Sequence, residues 1–223
     1  MAPLRSLRDE IGSWYGRHGS YSRRVDRLNR LPLLRDFSRL HDAPAFPTRE
    51  QMWDYLSRCY SGIIDYLEFG VHQGYSILHW AKANTNSASR FVGFDTFTGL
   101  PETWNEQYPK GHFDVGGRPP STSDPRVQFE PGLFQETLPK FLETFIPQQQ
   151  LVVHLDCDLY SSALFALTQL NARLIPGSVL IFDEFGDVLH EFRAFQDFTT
   201  SYHRTFKVIA THDSFFTAAL ELT

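Results

Sequence analysis

Two apolar runs in this chain end in carboxylates. That ending is costly unless something cationic meets the charge. The first run is Leu151-Val-Val-His-Leu-Asp-Cys-Asp158, followed by Leu159-Tyr-Ser-Ser162. Leu151, Val153 and Leu155 alternate with Val152, His154 and Asp156, so a strand puts His154 and Asp156 on one side. Asp158 joins them if the backbone stays extended. The second run, Ser178-Val-Leu-Ile-Phe182, ends in Asp183-Glu184. Two such strand ends can converge on one divalent cation, for which clustered carboxylate oxygens are suited ligands.

A second constellation lies upstream in Tyr66-Leu-Glu-Phe-Gly-Val-His-Gln-Gly-Tyr-Ser76. Glu68 ends an apolar run, Gly70 permits close backbone approach, and Gly74 opens a helix whose first N–H groups are unpaired. The dinucleotide fingerprint G-x-G-x-x-G is absent, and an acid in the turn would repel a pyrophosphate. The turn suits a ligand bearing an ammonium group, such as the amino-acid end of S-adenosylmethionine. Asp95 ends the next apolar run, 27 residues beyond Glu68, where an acid can accept both hydroxyls of a ribose. Val71, Ser76 and Thr96 flank these positions and complete the expected cofactor-binding set. The plainer alternative is an ordinary strand-to-helix turn.

Elements that would hold these residues follow from periodicity. Residues 4 to 40 carry apolar positions at helical spacing (Leu4, Leu7, Ile11, Trp14; then Leu28, Leu31, Leu34, Phe37), broken by Gly16 to Ser22 and by Pro32, which predicts short helices. A proline-bearing connector precedes a helix from Arg49 to Tyr60 with Thr48 as N-cap. Strands at 64–69, 91–94, 126–129, 151–155 and 178–182 alternate with helices at 75–83, 133–145 and 161–174, the rhythm of a parallel sheet. A helix at 188–202 and a closing hairpin, 205–210 with 215–222, bring the strand count to seven. Between Thr96 and Pro125 lies a long segment carrying Trp104, Tyr108, His112 and Phe113, whose aromatics favour a lid over a solvated linker. The division expected is a basic helical arm with connector, 1–48, and a main domain, 49–223.

The composition, 42% hydrophobic and 15% aromatic over 223 residues, supports one substantial core. No run of about 18 uncharged apolar residues exists. Two cysteines, Cys59 and Cys157, are too few for a disulfide framework and lack zinc spacing, so a soluble, cytoplasmic protein is expected, with Cys157 as packing. Residues 1–40 hold nine Arg against four acids, whereas the whole chain carries a net charge of −5. A basic arm on an acidic body fits packing on a neighbouring subunit, hence a homodimer, better than nucleic acid or membrane binding.

The strings Phe94-Asp-Thr-Phe-Thr-Gly-Leu-Pro-Glu102, Arg126-Val-Gln-Phe-Glu-Pro-Gly-Leu-Phe-Gln-Glu-Thr-Leu-Pro139 and Leu155-Asp-Cys-Asp-Leu-Tyr-Ser-Ser162, then Pro176-Gly177 before Asp183-Glu-Phe185, occur in order. Together they resemble the macrocin O-methyltransferase family. The resemblance implies a Rossmann-like class I methyltransferase fold, with a seven-stranded, mostly parallel α/β sheet whose last strand is antiparallel. It further implies S-adenosyl-L-methionine as cofactor, a sugar hydroxyl of a natural product as acceptor, and Mg²⁺ held by Asp156, Asp183 and Glu184. Cys157 stands where the family usually has Gly, and Glu184 where it has Asp. In such an enzyme the methyl donor is already electrophilic, so the protein supplies a deprotonated oxygen, alignment and dryness. The candidate catalytic residues are Asp156 and His190, with Trp104, Tyr108 and Phe113 covering the acceptor and Arg193 pairing with Asp197 or an acidic acceptor group. Two other readings stay open. One is a haloacid dehalogenase-like phosphohydrolase using Asp156, against which stand Tyr160 and the late position of the strand; the other is a non-catalytic binder of an adenosine ligand.

Overall fold

A computed structural model describes residues 19–223, with side chains from residue 26 onward. The helix expected around Leu4 to Trp14, and most of the basic arm, lie outside the described residues. In chain order the elements are α1 (Gly19–Leu40), β1 (Ala45–Phe46), α2 (Arg49–Cys59), β2 (Ile64–Phe69), α3 (Tyr75–Ala83), β3 (Arg90–Asp95) and β4 (Val127–Pro131). Then follow α4 (Phe134–Thr144), β5 (Gln150–Leu155), α5 (Tyr160–Leu170), β6 (Val179–Phe182), α6 (Glu191–Ser201), β7 (Phe206–His212) and β8 (Thr217–Leu222).

The strands form one sheet in the order β1-β7-β8-β6-β5-β2-β3-β4. Every pairing is parallel except the two made by β8, which runs against β6 and β7. The sheet therefore has eight strands rather than the expected seven. The extra strand is β1, two residues of the connector whose Ala45 and Phe46 pair with Thr211 and His212 of β7. A two-residue strand carries no alternation, so periodicity could not show it.

Central strands β2, β5 and β6 read as near-continuous apolar runs because helices cover both faces. One face packs Leu67, Val153 and Leu180 against α4, α5 and α6. The other packs Tyr66, Val152 and Ile181 against Met52, Trp53 and Leu56 of α2 and Ile77 and Trp80 of α3. Thr48 caps α2 as expected, its Oγ1 accepting the N–H of Gln51 at 3.2 Å.

The break expected at Pro32 does not occur. α1 is one 22-residue helix running through Pro32. An interior proline costs about 3 kcal/mol, which anchoring beyond it must offset. Leu34 and Phe37 supply the anchor, packing on the core, with the Phe37 ring 5.3 Å from Phe185, 5.8 Å from Phe192 and 5.9 Å from Phe195. Phe185 follows the acid pair Asp183-Glu184, so α1 braces the strand end that carries it. Among the described residues, no helix is long and apolar enough to cross a membrane.

β2 pairs with β3 on one side and β5 on the other. In an open sheet of this kind the chain diverges at that point, and a crevice opens at the carboxyl ends of the strands. Asp95, Asp156 and Asp183 end strands or immediately follow them there, and Glu68 is the last residue but one of β2.

Candidate active site

The crevice is a cavity of about 440 Å³ walled by residues that the sequence placed far apart. Gly70, Asp95 and Thr96 line it, as do Asp156, Asp158, Asp183 and Glu184; Trp104, Tyr108 and Phe113 come from the lid. Its volume falls in the range typical of small-molecule sites.

On the acid side, one oxygen each of Asp156, Asp158 and Glu184 lies within 4.8 Å of the others. Their carboxylates accept no hydrogen bond from any described residue, and Glu184 Oε2 is buried without a partner. Burial, then repulsion from Asp183, holds the Asp156 carboxyl well above the usual carboxylate range. Burial and the neighbouring acids Asp183, Asp187 and Asp95 push Asp158 up to about 7. Glu184 is raised by burial and by Asp156. Such a cluster of unsatisfied oxygens fits a hard divalent cation.

Asp183, expected beside Asp156 and Glu184, is engaged differently. Its Oδ2 accepts a hydrogen bond from Arg49 Nη1 at 2.6 Å, and its Oδ1 lies 3.8 Å from His154 Nε2. Burial works against the Asp183 charge, but His154 and Arg49 outweigh it and lower this carboxyl. His154 is fully buried, as a core histidine, with Nδ1 2.6 Å from the Tyr66 hydroxyl. Burial opposes its charge, yet Asp183 and Glu68 raise it to about 10.

At the turn after β2, Gly70 and Asp95 are first of all builders of the loop. Gly70 has φ +92°, and a Cβ there would meet the Asp156 carbonyl oxygen at 1.7 Å. The glycine thus lets the turns after β2 and β5 close on each other, a reason that spacing alone does not reveal. Asp95 Oδ2 accepts the N–H groups of Val71 (2.8 Å) and His72 (2.7 Å), and Oδ1 accepts that of Phe97 (2.8 Å). Three N–H donors leave a carboxylate with acceptor capacity to spare. Thr96 Oγ1 donates to the Gly99 carbonyl. Glu68 is fully buried, receives the Tyr66 hydroxyl at 2.7 Å, and keeps Oε1 without a partner. Val71, Gly74 and Ser76 are buried beside the cavity rather than in its wall.

The lid is ordered by local turns. Leu100 N–H donates to His112 O, and Gly111 N–H to Leu100 O, both at 2.9 Å. Trp104 stacks on Tyr108 (5.0 Å between ring centroids) and Tyr108 on Phe113 (5.6 Å). Trp104 Nε1–H donates to Asp187 Oδ2 at 3.1 Å, and Ser161 Oγ–H donates to Glu102. The lid is thereby tied to the turn after β6 and to the start of α5.

His190 lies outside the cavity wall. Its Nδ1 accepts the N–H of Tyr160 at 3.2 Å. Arg193 lies over the Tyr160 ring at 4.2 Å and pairs with Asp197 at 3.6 Å, outside the cavity lining. Sequence reasoning missed Arg49, 134 residues from its partner Asp183, and Glu191, whose only signal was one more acid on the helix at 188–202.

Residues 121–214 match the family model of macrocin-O-methyltransferase (TylF). A curated relative from Streptomyces olivaceus, 8-demethyl-8-(2,3-dimethoxy-alpha-L-rhamnosyl)-tetracenomycin-C 4'-O-methyltransferase, is 29% identical over 159 residues, 58% of either chain. The chain thus spans a little under three fifths of that relative's length. Among solved structures, the calicheamicin methyltransferase CalS11 superposes with TM-score 0.62 at 23% identity, over 78% of both chains. The O-methyltransferase from Bacillus cereus, determined with S-adenosylhomocysteine, superposes with TM-score 0.54 at 15% identity, over 87% of this chain and 90% of its own. The chain has the class I O-methyltransferase fold and carries within it, over residues 121–214, the macrocin-O-methyltransferase pattern.

Proposed function

We propose that this protein is an S-adenosylmethionine-dependent O-methyltransferase acting on a hydroxyl of a sugar or glycosylated small molecule, with a divalent cation, Mg²⁺, at the acid cluster. One observation carries the reading: a single cavity is lined both by an Asp95-braced glycine turn and by three convergent carboxylates, Asp156, Asp158 and Glu184. The relative named as a 4'-O-methyltransferase of a rhamnosyl-tetracenomycin supports the same chemistry.

S-adenosylmethionine, when bound, supplies an electrophilic methyl group. The chain's own residues do the rest. The Gly70 turn and Asp95 would hold the cofactor, with the buried Glu68 behind them and Val71, Gly74, Ser76 and Thr96 shaping the loop. Asp156 and Glu184 would hold the cation, which lowers a hydroxyl's pKa and orients it. Asp158, pushed up to about 7, is the carboxylate suited to take the hydroxyl proton at neutral pH, a part assigned from sequence to Asp156 and His190. Asp183 keeps Arg49 at the rim. The stacked rings of Trp104, Tyr108 and Phe113 exclude water and offer faces to a sugar or planar aglycone.

The basic arm, together with Leu28, Leu31 and Leu40 exposed on α1, supports a homodimer built through this end of the chain, acting in the cytoplasm on a small molecule rather than on nucleic acid or membrane.

Relief of the acid cluster is measurable without an acceptor. Millimolar Mg²⁺ or Mn²⁺ is expected to raise the melting temperature of the native chain, by about 2–4 °C for each kcal/mol of binding. An unchanged melting temperature with both ions would refute the cation assignment. A phosphohydrolase would instead turn over an aryl phosphate.

A further inference from the structure

Glu191 opens α6 and is fully buried, 0% exposed, in a region already crowded with acids. Its Oε1 accepts the N–H of Cys157 at 3.3 Å, and its Oε2 accepts the N–H of Glu184 at 3.0 Å. One carboxylate therefore joins the turn after β5 to the turn after β6. Both are also positions at which the chain departs from the pattern it resembles, Cys157 for Gly and Glu184 for Asp. Burial and the neighbouring Asp156, Asp158 and Asp183 hold this carboxyl above the usual carboxylate range, and its two backbone donors offset only part of that cost.

Glu191 does not line the cavity and is not among the three convergent carboxylates, so it is neither a ligand nor a proton acceptor there. What it controls is backbone. The Cys157 amide sits between Asp156 and Asp158, and the Glu184 amide sets where that longer side chain begins. We propose that Glu191 is a positioning residue that locks the two acid-bearing turns in register, so that Asp156 and Asp158 from one turn and Glu184 from the other aim at a single point. The inference rests on the cation reading of the site for its consequence, but not for the lock itself.

Gln is the informative replacement, because it keeps the size and one acceptor oxygen while its NH₂ faces the second N–H as donor against donor. The test is amide hydrogen exchange by NMR on the native apoprotein and on Glu191→Gln, with Mn²⁺ titrations of both. In the native protein the Cys157 and Glu184 amides are expected to be protected. In the variant both exchange at least tenfold faster, Mn²⁺ binds about 10–100-fold more weakly, and S-adenosylhomocysteine affinity is unchanged. Native amides at 157 and 184 that exchange as freely as exposed loop amides would overturn the lock, and that measurement decides even if the variant fails to fold. Equal Mn²⁺ affinity in a folded variant would overturn it as well. Protected native amides in a protein that binds no Mn²⁺ would uphold the lock and reject the cation reading instead.

Discussion

The Asp156→Asn variant is expected to melt higher than the native chain when no divalent cation is present, and to lose about 10³-fold in methyl transfer to a glycosylated acceptor, followed as S-adenosylhomocysteine release. Both effects come from one carboxylate. Burial and Asp183 raise the Asp156 carboxyl in the folded protein. For an acid so raised, the unfolded chain releases its proton first, and native stability falls as pH rises above the ordinary carboxylate value of about 3.9. Asn removes that loss. The variant's advantage should therefore vanish below about pH 4 and grow toward neutrality. Added Mg²⁺ should reverse the order, stabilising the native chain and leaving the variant unmoved. Thermal melts at pH 4 and pH 7, with and without the ion, read both halves. A variant that is less stable than the native apoprotein at pH 7 would show that the cluster is not under repulsion.

Gly70→Ala is expected to cost about 3–5 kcal/mol of stability, at the severe end for a single methyl group, and to abolish binding of S-adenosylhomocysteine. The added Cβ would lie 1.7 Å from the Asp156 carbonyl oxygen and 2.7 Å from its carbonyl carbon, both backbone atoms of a buried strand end. No side-chain rotation relieves such a contact, and φ of +92° is already unfavourable for alanine. The turns after β2 and β5 must separate, and with them the two walls of the cavity. Gly62→Ala, where a Cβ meets nothing within 4 Å, serves as control and should leave urea denaturation nearly unchanged. A Gly70→Ala protein of native stability would mean that the two turns are not in contact.

The parts of this site that were legible in the sequence are those written in local pattern. Period-two runs ending in Asp95, Asp156 and Asp183-Glu184 marked strand ends, and a parallel sheet gathers strand ends at one edge. Class, strand direction and the aromatic lid followed from the same patterns. The parts that stayed hidden are pairings across long sequence distances. Arg49 on Asp183 changes which acids converge, replacing Asp183 by Asp158 in the set within 4.8 Å. Glu191 was one more acid on the helix expected at 188–202, yet it is fully buried. Gly70 was read as making room for a ligand, whereas its tightest neighbour is the backbone of Asp156. Tyr66 and Glu68 share a strand face by simple alternation, so their hydrogen bond was within reach of the pattern that placed Asp156. The helix through Pro32 was missed because a turn's tertiary anchor, Phe37, outweighs a local rule.

The central claim is that one cavity binds the methyl donor beside an acid cluster, and isothermal calorimetry of the native chain with S-adenosylmethionine and S-adenosylhomocysteine tests it most directly. The expected result is one-to-one binding of both, in the micromolar range of about −8 kcal/mol, with loss of binding in Gly70→Ala. A folded native protein that binds neither compound would contradict it.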